Sequence, residues 1–592
     1  MRPVPRPVLL QFLALCLALC ACACSTNVAS PLVVPDNEAR ESGAGRVSPV
    51  HEQWLYRQSM LGEGQEILKR VPATLLWRNS RGRKDAGLVL RHAPTWAMVP
   101  QDVRFADVEL ALPVLASLGL GGVWLGDVRE GDLAWVHDAQ EPREPDTQRT
   151  ASLAPDPGRG GAEGLKSLLA GLERQNLLGG MSLVAAATGL GPDFMLQARG
   201  SERHAGLYAL FEIPRKDWDL LPAAKGPWDV HALSQDIVRA LGRALPPPLA
   251  QDSYAMDEAG YATTGEVLGL DGQTRRYAYR YYGSAWQPVL DWHNPMGSAQ
   301  RLLQASAIQT TGIYRQALAG INVSALAGLD AAQAQQTALE PASTCLATLS
   351  GTVHRCGGWS LFFAPLSFDM AREALRYTDF CEAPGFARAL QEAWQEGSTK
   401  NLAAVLEGSR TFDQKALAFV SPHADAARPA TGVEGGLESG AERIARENHL
   451  LLALPCGLPG LCLLDARTLV RRRGHDAAPT NAGLLLAKVL EARSRLDLGT
   501  GRLVKTVLPS QSVMATIVAL PRGGYMVTVL NFSRRPVQIE VETGIAMGAI
   551  RCLTPEVQVL PASSPTSFAL SLKARQAAHL VAGTDLSAKA KE

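Results

Sequence analysis

The sequence predicts an α/β protein in which a parallel sheet is covered on both faces by helices, followed by a smaller antiparallel β domain. Three observations carry this reading. Helical periodicity alternates with short all-apolar runs from about residue 70 to 495. From about residue 500 the pattern changes to period-two alternation around tight turns. The chain has 592 residues, 46% of them apolar and 19% charged, enough to bury large cores in more than one domain.

The N-terminal stretch MRPVPRPVLLQFLALCLALCACACSTN places Arg2 and Arg6 before an apolar run from Val8 to Ala23. That is the pattern of a secretory signal, too short to be a stable membrane span. Leu19-Cys20-Ala21-Cys22 is similar to the bacterial lipobox, with Cys24 the competing lipidation site. The expectation is a signal peptide over 1–23 and export to a bacterial periplasm, with a lipid anchor on Cys22 or Cys24. Residues 24–70 read as a linker with one helix around EGQEILKRV.

Beyond it, ALPVLASLGLGGVWLGDV reads as a helix and then a strand over 121–125. In GAEGLKSLLAGLERQNLLGGMSLVAAATGLG, Leu165, Leu168, Leu169 and Leu172 share a helical face, and a strand is expected over 181–185. Residues 138–163, rich in Pro, Asp, Arg and Gly, read as a loop. QALAGINVSALAGLD is another buried strand, with Ala317, Leu318, Ile321 and Val323 apolar. After residue 500, MATIVAL and YMVTVLNFSRRPVQIEVE flank a Pro-Arg-Gly-Gly turn.

Composition removes several function classes. A net charge of +1 gives no footprint for nucleic acid. The six cysteines outside the leader form no Cys-x-x-Cys; Cys345 and Cys356 are a pair that a short disulfide loop would join in an oxidising compartment. The eleven histidines form no His-Glu-x-x-His, so no metal site is expected. No Gly-x-Ser-x-Gly occurs, and the glycines at 119–122 lack dinucleotide-binding spacing, so no cofactor is expected. Asp193 and Asp217 read as turn or cap residues.

Four phrases taken in order resemble the α-amylase superfamily of retaining glycoside hydrolases and transglucosylases, nearest to its trehalose-synthase-like members. LASLGLGGVWLGD is similar to the family's second barrel strand, and LVAAATGLGPDFMLQARG to its third strand and the start of an inserted domain. CGLPGLCLLDARTL is similar to its eighth strand, and GGYMVTVLNFSRRPV to its C-terminal sandwich. The resemblance implies a (β/α)8 TIM-like barrel over 71–495, an inserted region at about 190–290, and a C-terminal antiparallel β-sandwich over 500–583. It also implies an α-glucan or another oligosaccharide as the partner.

The same resemblance exposes missing chemistry. The family's fourth strand carries an arginine and a nucleophilic aspartate where this chain has Asn322 and Ser324. Its fifth-strand glutamic acid falls on Phe363, its third-strand histidine on Ala187, and its seventh-strand aspartate on Ala424. His423 survives as a candidate substrate contact, and Asp425 and Asp465 are the candidate replacement carboxylates. A retaining mechanism needs two carboxyl groups about 5–5.5 Å apart. A phenyl ring neither donates nor accepts a proton, and a serine without a neighbouring base is a weak nucleophile. The expectation is a catalytically inactive glycan-binding or scaffold protein. The alternative is an active α-glucan hydrolase or trehalose-synthase-type transglucosylase that uses displaced carboxylates.

Overall fold

A computed structural model describes residues 48–70, 85–131, 150–184, 187–242, 245, 259–282, 284–291, 297–322, 343–363, 367–422, 440–473, 476–555 and 557–583. Eight parallel strands close a barrel: β1 (Thr95–Met98), β2 (Gly122–Trp124), β3 (Leu178–Ser182), β4 (Leu318–Asn322), β5 (Trp359–Phe363), β6 (Phe380–Glu382), β7 (Leu417–Val420) and β8 (Leu461–Asp465). Each pairs with the next in sequence, and β8 returns to β1 through Cys462↔Thr95 and Asp465↔Met98. The parallel α/β class and the closed barrel expected from the sequence are therefore present.

Period-two alternation sorts each strand into two faces. Trp96, Trp124, Leu318, Leu361, Phe380, Ala418, Leu461 and Leu463 share one buried cluster, which fills the lumen. Their neighbours Ala97, Val123, Met181, Phe419, Cys462 and Leu464 belong to the outer core beneath the helices.

The chain between β3 and β4 builds an antiparallel sheet from Leu210–Ile213, Thr274–Tyr282, Ala259–Thr263 and His231–Ala232. It has its own small core of Ile213, Leu233, Val238, Tyr261 and Ala278. The C-terminal part is two antiparallel sheets. One contains β9 (Arg502–Ser510), β10 (Val513–Ala519), β11 (Tyr525–Asn531), β13 (Ile550–Cys552) and β16 (Ala577–Ala582). The other contains β12 (Val537–Glu542), β14 (Gln558–Leu560) and β15 (Ser567–Leu572). Val513, Ile517, Val527, Phe568 and Leu570 pack between them. A helix that precedes β8, Gly440–Gly457, lies on this domain: its His449 meets His579 of β16, ring centroids 6.0 Å apart.

Two helices, α1 (Pro49–Gln58) and α2 (Met60–Arg70), precede the barrel. Asp193 docks them. Its carboxylate accepts the backbone N–H of Met60 at 2.6 Å and of Leu61 at 3.0 Å. It thus satisfies two orphan donors at the start of α2. Asp193 is a cap, as the sequence suggested, but of a helix far upstream rather than of the inserted region.

Three expectations need correction. The third strand is Leu178–Ser182 and not 181–185. Gly179 and Gly180 hid its start, and both are needed there: a Cβ on Gly180 would stand 2.7 Å from Trp124, and one on Gly179 would overlap Gln316. Within the expected loop at 138–163, Thr150–Pro155 is a strand that pairs with Arg129–Gly131. A Cys345–Cys356 disulfide is excluded by geometry. Cys345 lies in the helix Ser343–Arg355 and Cys356 follows its last residue, so the helical rise separates them by about 16 Å. Cys356 is a free thiol.

Candidate active site

In a barrel of this kind the site forms at the C-terminal ends of the strands. By alternation, the residues that face the lumen at that end are Met98, Trp124, Ser182, Asn322, Phe363, Glu382, Val420 and Asp465. Two of these eight carry a carboxyl group: Glu382 on β6 and Asp465 on β8.

Aromatic rings fill the lumen on the side of β1, β2 and β5. Trp124 and Phe363 meet with ring centroids 4.9 Å apart and planes inclined by 50°. Trp96 lies below them, its indole N–H donating to the Ala93 carbonyl at 2.8 Å. Lumen-facing glycines on three neighbouring strands make the space. A Cβ on Gly122 would stand 2.5 Å from the Trp96 ring, and one on Gly180 would crowd Trp124 and Trp96. On Gly320 it would overlap Trp124 and stand 2.8 Å from Phe363. The rings therefore occupy the volume that side chains would otherwise fill. Trp124 is buried, while Phe363 keeps part of its surface open at the mouth.

The sequence-derived residues separate as follows. Asn322 ends β4 and is paired in register with Phe363 of β5, so the two are lateral neighbours at the mouth. Ala187 is not on a strand; it lies past β3, buried, in a single bridge with Val289. Asp465 ends β8 but is 1% exposed. One oxygen accepts the Arg467 N–H at 3.2 Å and the other the Thr468 hydroxyl at 3.3 Å, which makes it the N-cap of the turn Ala466–Leu469. Its own N–H donates to the Ser421 hydroxyl at 2.9 Å. Ser324, His423, Ala424 and Asp425 lie outside the described residues, as do Cys22 and Cys24.

Sequence reasoning missed two features. Glu382 ends a three-residue strand, too short to show a period. Next to the mouth, just past β2, Arg129 is wholly covered and bonds to Asp127 Oδ1 at 3.0 Å, the Ser182 carbonyl at 2.9 Å and the Thr310 hydroxyl at 2.9 Å. Asp127 in turn accepts the Thr150 hydroxyl at 2.5 Å. This ion pair ties β2, β3 and the π-helical turn Ile308–Ile313 together, and its hydrogen bonds satisfy both charges.

The described part of the mouth offers a partly open aromatic face, that of Phe363, and the polar groups of Asn322, Ser182 and Glu382. Asp465 has no free reach into the lumen, because both of its oxygens are already bonded. Among the described residues no cluster of three His, Cys, Asp or Glu has metal-binding geometry.

Neither a family model nor a curated protein matches the sequence. Solved structures do resemble the fold. Isomaltulose synthase from Klebsiella sp. LX3 superposes with a TM-score of 0.54 at 13% identity, covering 83% of this chain and 99% of that one. The α-amylase from H. orenii gives 0.51 at 12%, covering 83% and 99%. The α-amylase from Geobacillus thermoleovorans, solved with acarbose, gives 0.50 at 12%, covering 84% and 99%. This chain has the fold of the α-amylase-family glycoside hydrolases and transglycosylases.

Proposed function

We propose that the protein is an exported, lipid-anchored α-amylase-fold protein that binds oligosaccharides of α-glucan type at the barrel mouth without cleaving them. The observation that carries this is the contact between Trp124 and Phe363. On the alignment suggested by the sequence, Phe363 stands where the proton donor would be, and its ring is packed into the lumen. The partly open face of Phe363 offers an apolar platform for a sugar ring, while Asn322, Glu382 and Ser182 offer hydrogen bonds that would fix its orientation. Acarbose in the Geobacillus amylase supports the ligand class.

Calorimetric titration with maltoheptaose tests the reading. Saturable binding that weakens about tenfold in Phe363→Ala, equivalent to about 1.4 kcal/mol, is expected. Absence of binding to any maltooligosaccharide would overturn it. Export and anchoring rest on residues 1–24, and fatty-acid labelling that is lost in Cys22→Ala or Cys24→Ala would support them.

A further inference from the structure

Two thiols sit in contact at the corner where the chain enters the strand that closes the barrel. Cys456 lies in the last turn of Gly440–Gly457, and Cys462 is the second residue of β8, on its outer face. Their Sγ atoms are 3.9 Å apart, and both side chains are completely buried. Cys381 and Cys552 turn to carbonyl oxygens instead, those of Glu382 and Thr554.

The turn between Cys456 and Cys462 is held rigid. Gly460 adopts φ +81°, and a Cβ there would run into the Leu417 and Gln414 carbonyls. Arg493, from the helix Asn481–Arg495, is wholly buried and donates to the carbonyls of Cys456, Leu458 and Gly460. A permanent cation therefore stands against the segment that carries both sulfurs. A thiol exchanges only as its thiolate, and a nearby guanidinium favours that form. Burial pushes the Cys456 thiol well up. At Cys462 burial opposes ionisation, but the contact with Cys456 and the Arg493 charge outweigh it and draw this thiol down. Arg493 stands against the segment that carries both sulfurs, so either can attack first, and the product is the same.

We propose that Cys456 and Cys462 form a redox pair that closes to an intramolecular disulfide by exchange with a disulfide-bearing oxidant, and that this bond staples the helix end to β8. In one order of attack, the Cys462 thiolate first attacks one sulfur of the oxidant's disulfide. A mixed disulfide forms and one thiolate leaves. The Cys456 thiol then loses its proton, and its thiolate attacks Cys462 Sγ. The Cys456–Cys462 bond forms and the second thiolate of the oxidant departs. The oxidant gains two electrons, and the protein loses two electrons and two protons. Because neither sulfur reaches solvent, exchange takes place while this corner is open, during folding or in a local opening. β8 bonds both β7 and β1, so the staple fastens the seam that completes the barrel.

The test uses the purified full chain, equilibrated from both the oxidised and the reduced side in buffers of graded dithiothreitol ratio. The chain is denatured in iodoacetamide and cut with trypsin, and the peptide that spans Glu447 to Arg467 contains both cysteines. On the oxidising side this peptide should resist alkylation and weigh two hydrogens less, and it should become doubly alkylated after reduction. In Cys462→Ala, Cys456 should alkylate fully at every ratio. Double alkylation of the wild type at every ratio would overturn the pair, as would a cross-link to another cysteine or persistent protection of Cys456 in Cys462→Ala. This readout needs neither sugar nor export, so its failure is distinct from failure of the glycan-binding reading.

Discussion

Trp124 and Phe363, from strands that are not neighbours in the barrel, meet ring to ring across Gly320 with centroids 4.9 Å apart. The lumen on this side is thus built of aromatic surface, and its top edge is the only part open to a ligand among these rings. Packing, rather than charge, decides what this part of the mouth can do.

Gly320 is the first place to test that packing. A methyl group there would overlap Trp124 and press on Phe363. Gly320→Ala should therefore destabilise the fold by about 1–3 kcal/mol through overpacking. The loss should appear as a lower urea midpoint with an unchanged slope.

Restoring one carboxyl group should not restore chemistry. In Phe363→Glu the new side chain faces Trp124, with Asn322 beside it on β4 and Glu382 on the other side on β6. Reaction with a nitrophenyl maltoside should stay at the background rate, because β4 ends in Asn322 and offers no carboxyl nucleophile opposite the new acid.

Arg493 should matter to stability far more than its position remote from the mouth suggests. Its removal in Arg493→Met leaves the carbonyls of Cys456, Leu458 and Gly460 buried without their donor. The expected cost is about 3–5 kcal/mol, measured by chemical denaturation.

Stability should depend on pH through two opposing sets of buried groups. Burial lowers His449 from 6.5 to about 3, and His579 and His204 to about 4. Between about pH 4 and 6.5 the unfolded chain binds more protons at these histidines, so their contribution is present above 6.5 and is lost on acidification. Burial raises Asp193 from 3.8 and Glu63 from 4.5, both to about 7. The folded chain holds those protons, so this contribution is complete below about pH 4 and is lost as pH rises through 7. Above pH 6.5 only the carboxyl effect remains, and the urea midpoint should fall between pH 6.5 and 8. Asp193→Asn should flatten that fall; an unchanged slope would contradict the assignment.

The barrel was legible because its strands are continuous apolar runs between amphipathic helices, as with GVW at β2 or LCLLD at β8. The C-terminal sheets were legible from alternation around the Pro-Arg-Gly-Gly turn. The site was less so. Nothing local in the sequence marks Gly122, Gly180 and Gly320 as the space that Trp96, Trp124 and Phe363 occupy in the fold. Glu382 sits on a strand of three residues, which shows no period. Asp465 could be matched to a strand end, but sequence does not show that Arg467 and Thr468 engage both of its oxygens. The reach of Asp193 to Met60 and Leu61 is a tertiary contact that no local pattern encodes.

The most direct test of the central claim is product analysis after long incubation of the full chain with maltose, maltooligosaccharides and trehalose. The account predicts that every sugar is recovered unchanged from a protein shown by circular dichroism to be folded. A new sugar that disappears in Asp425→Asn or Asp465→Asn would contradict it and would place a working carboxyl pair at the barrel mouth.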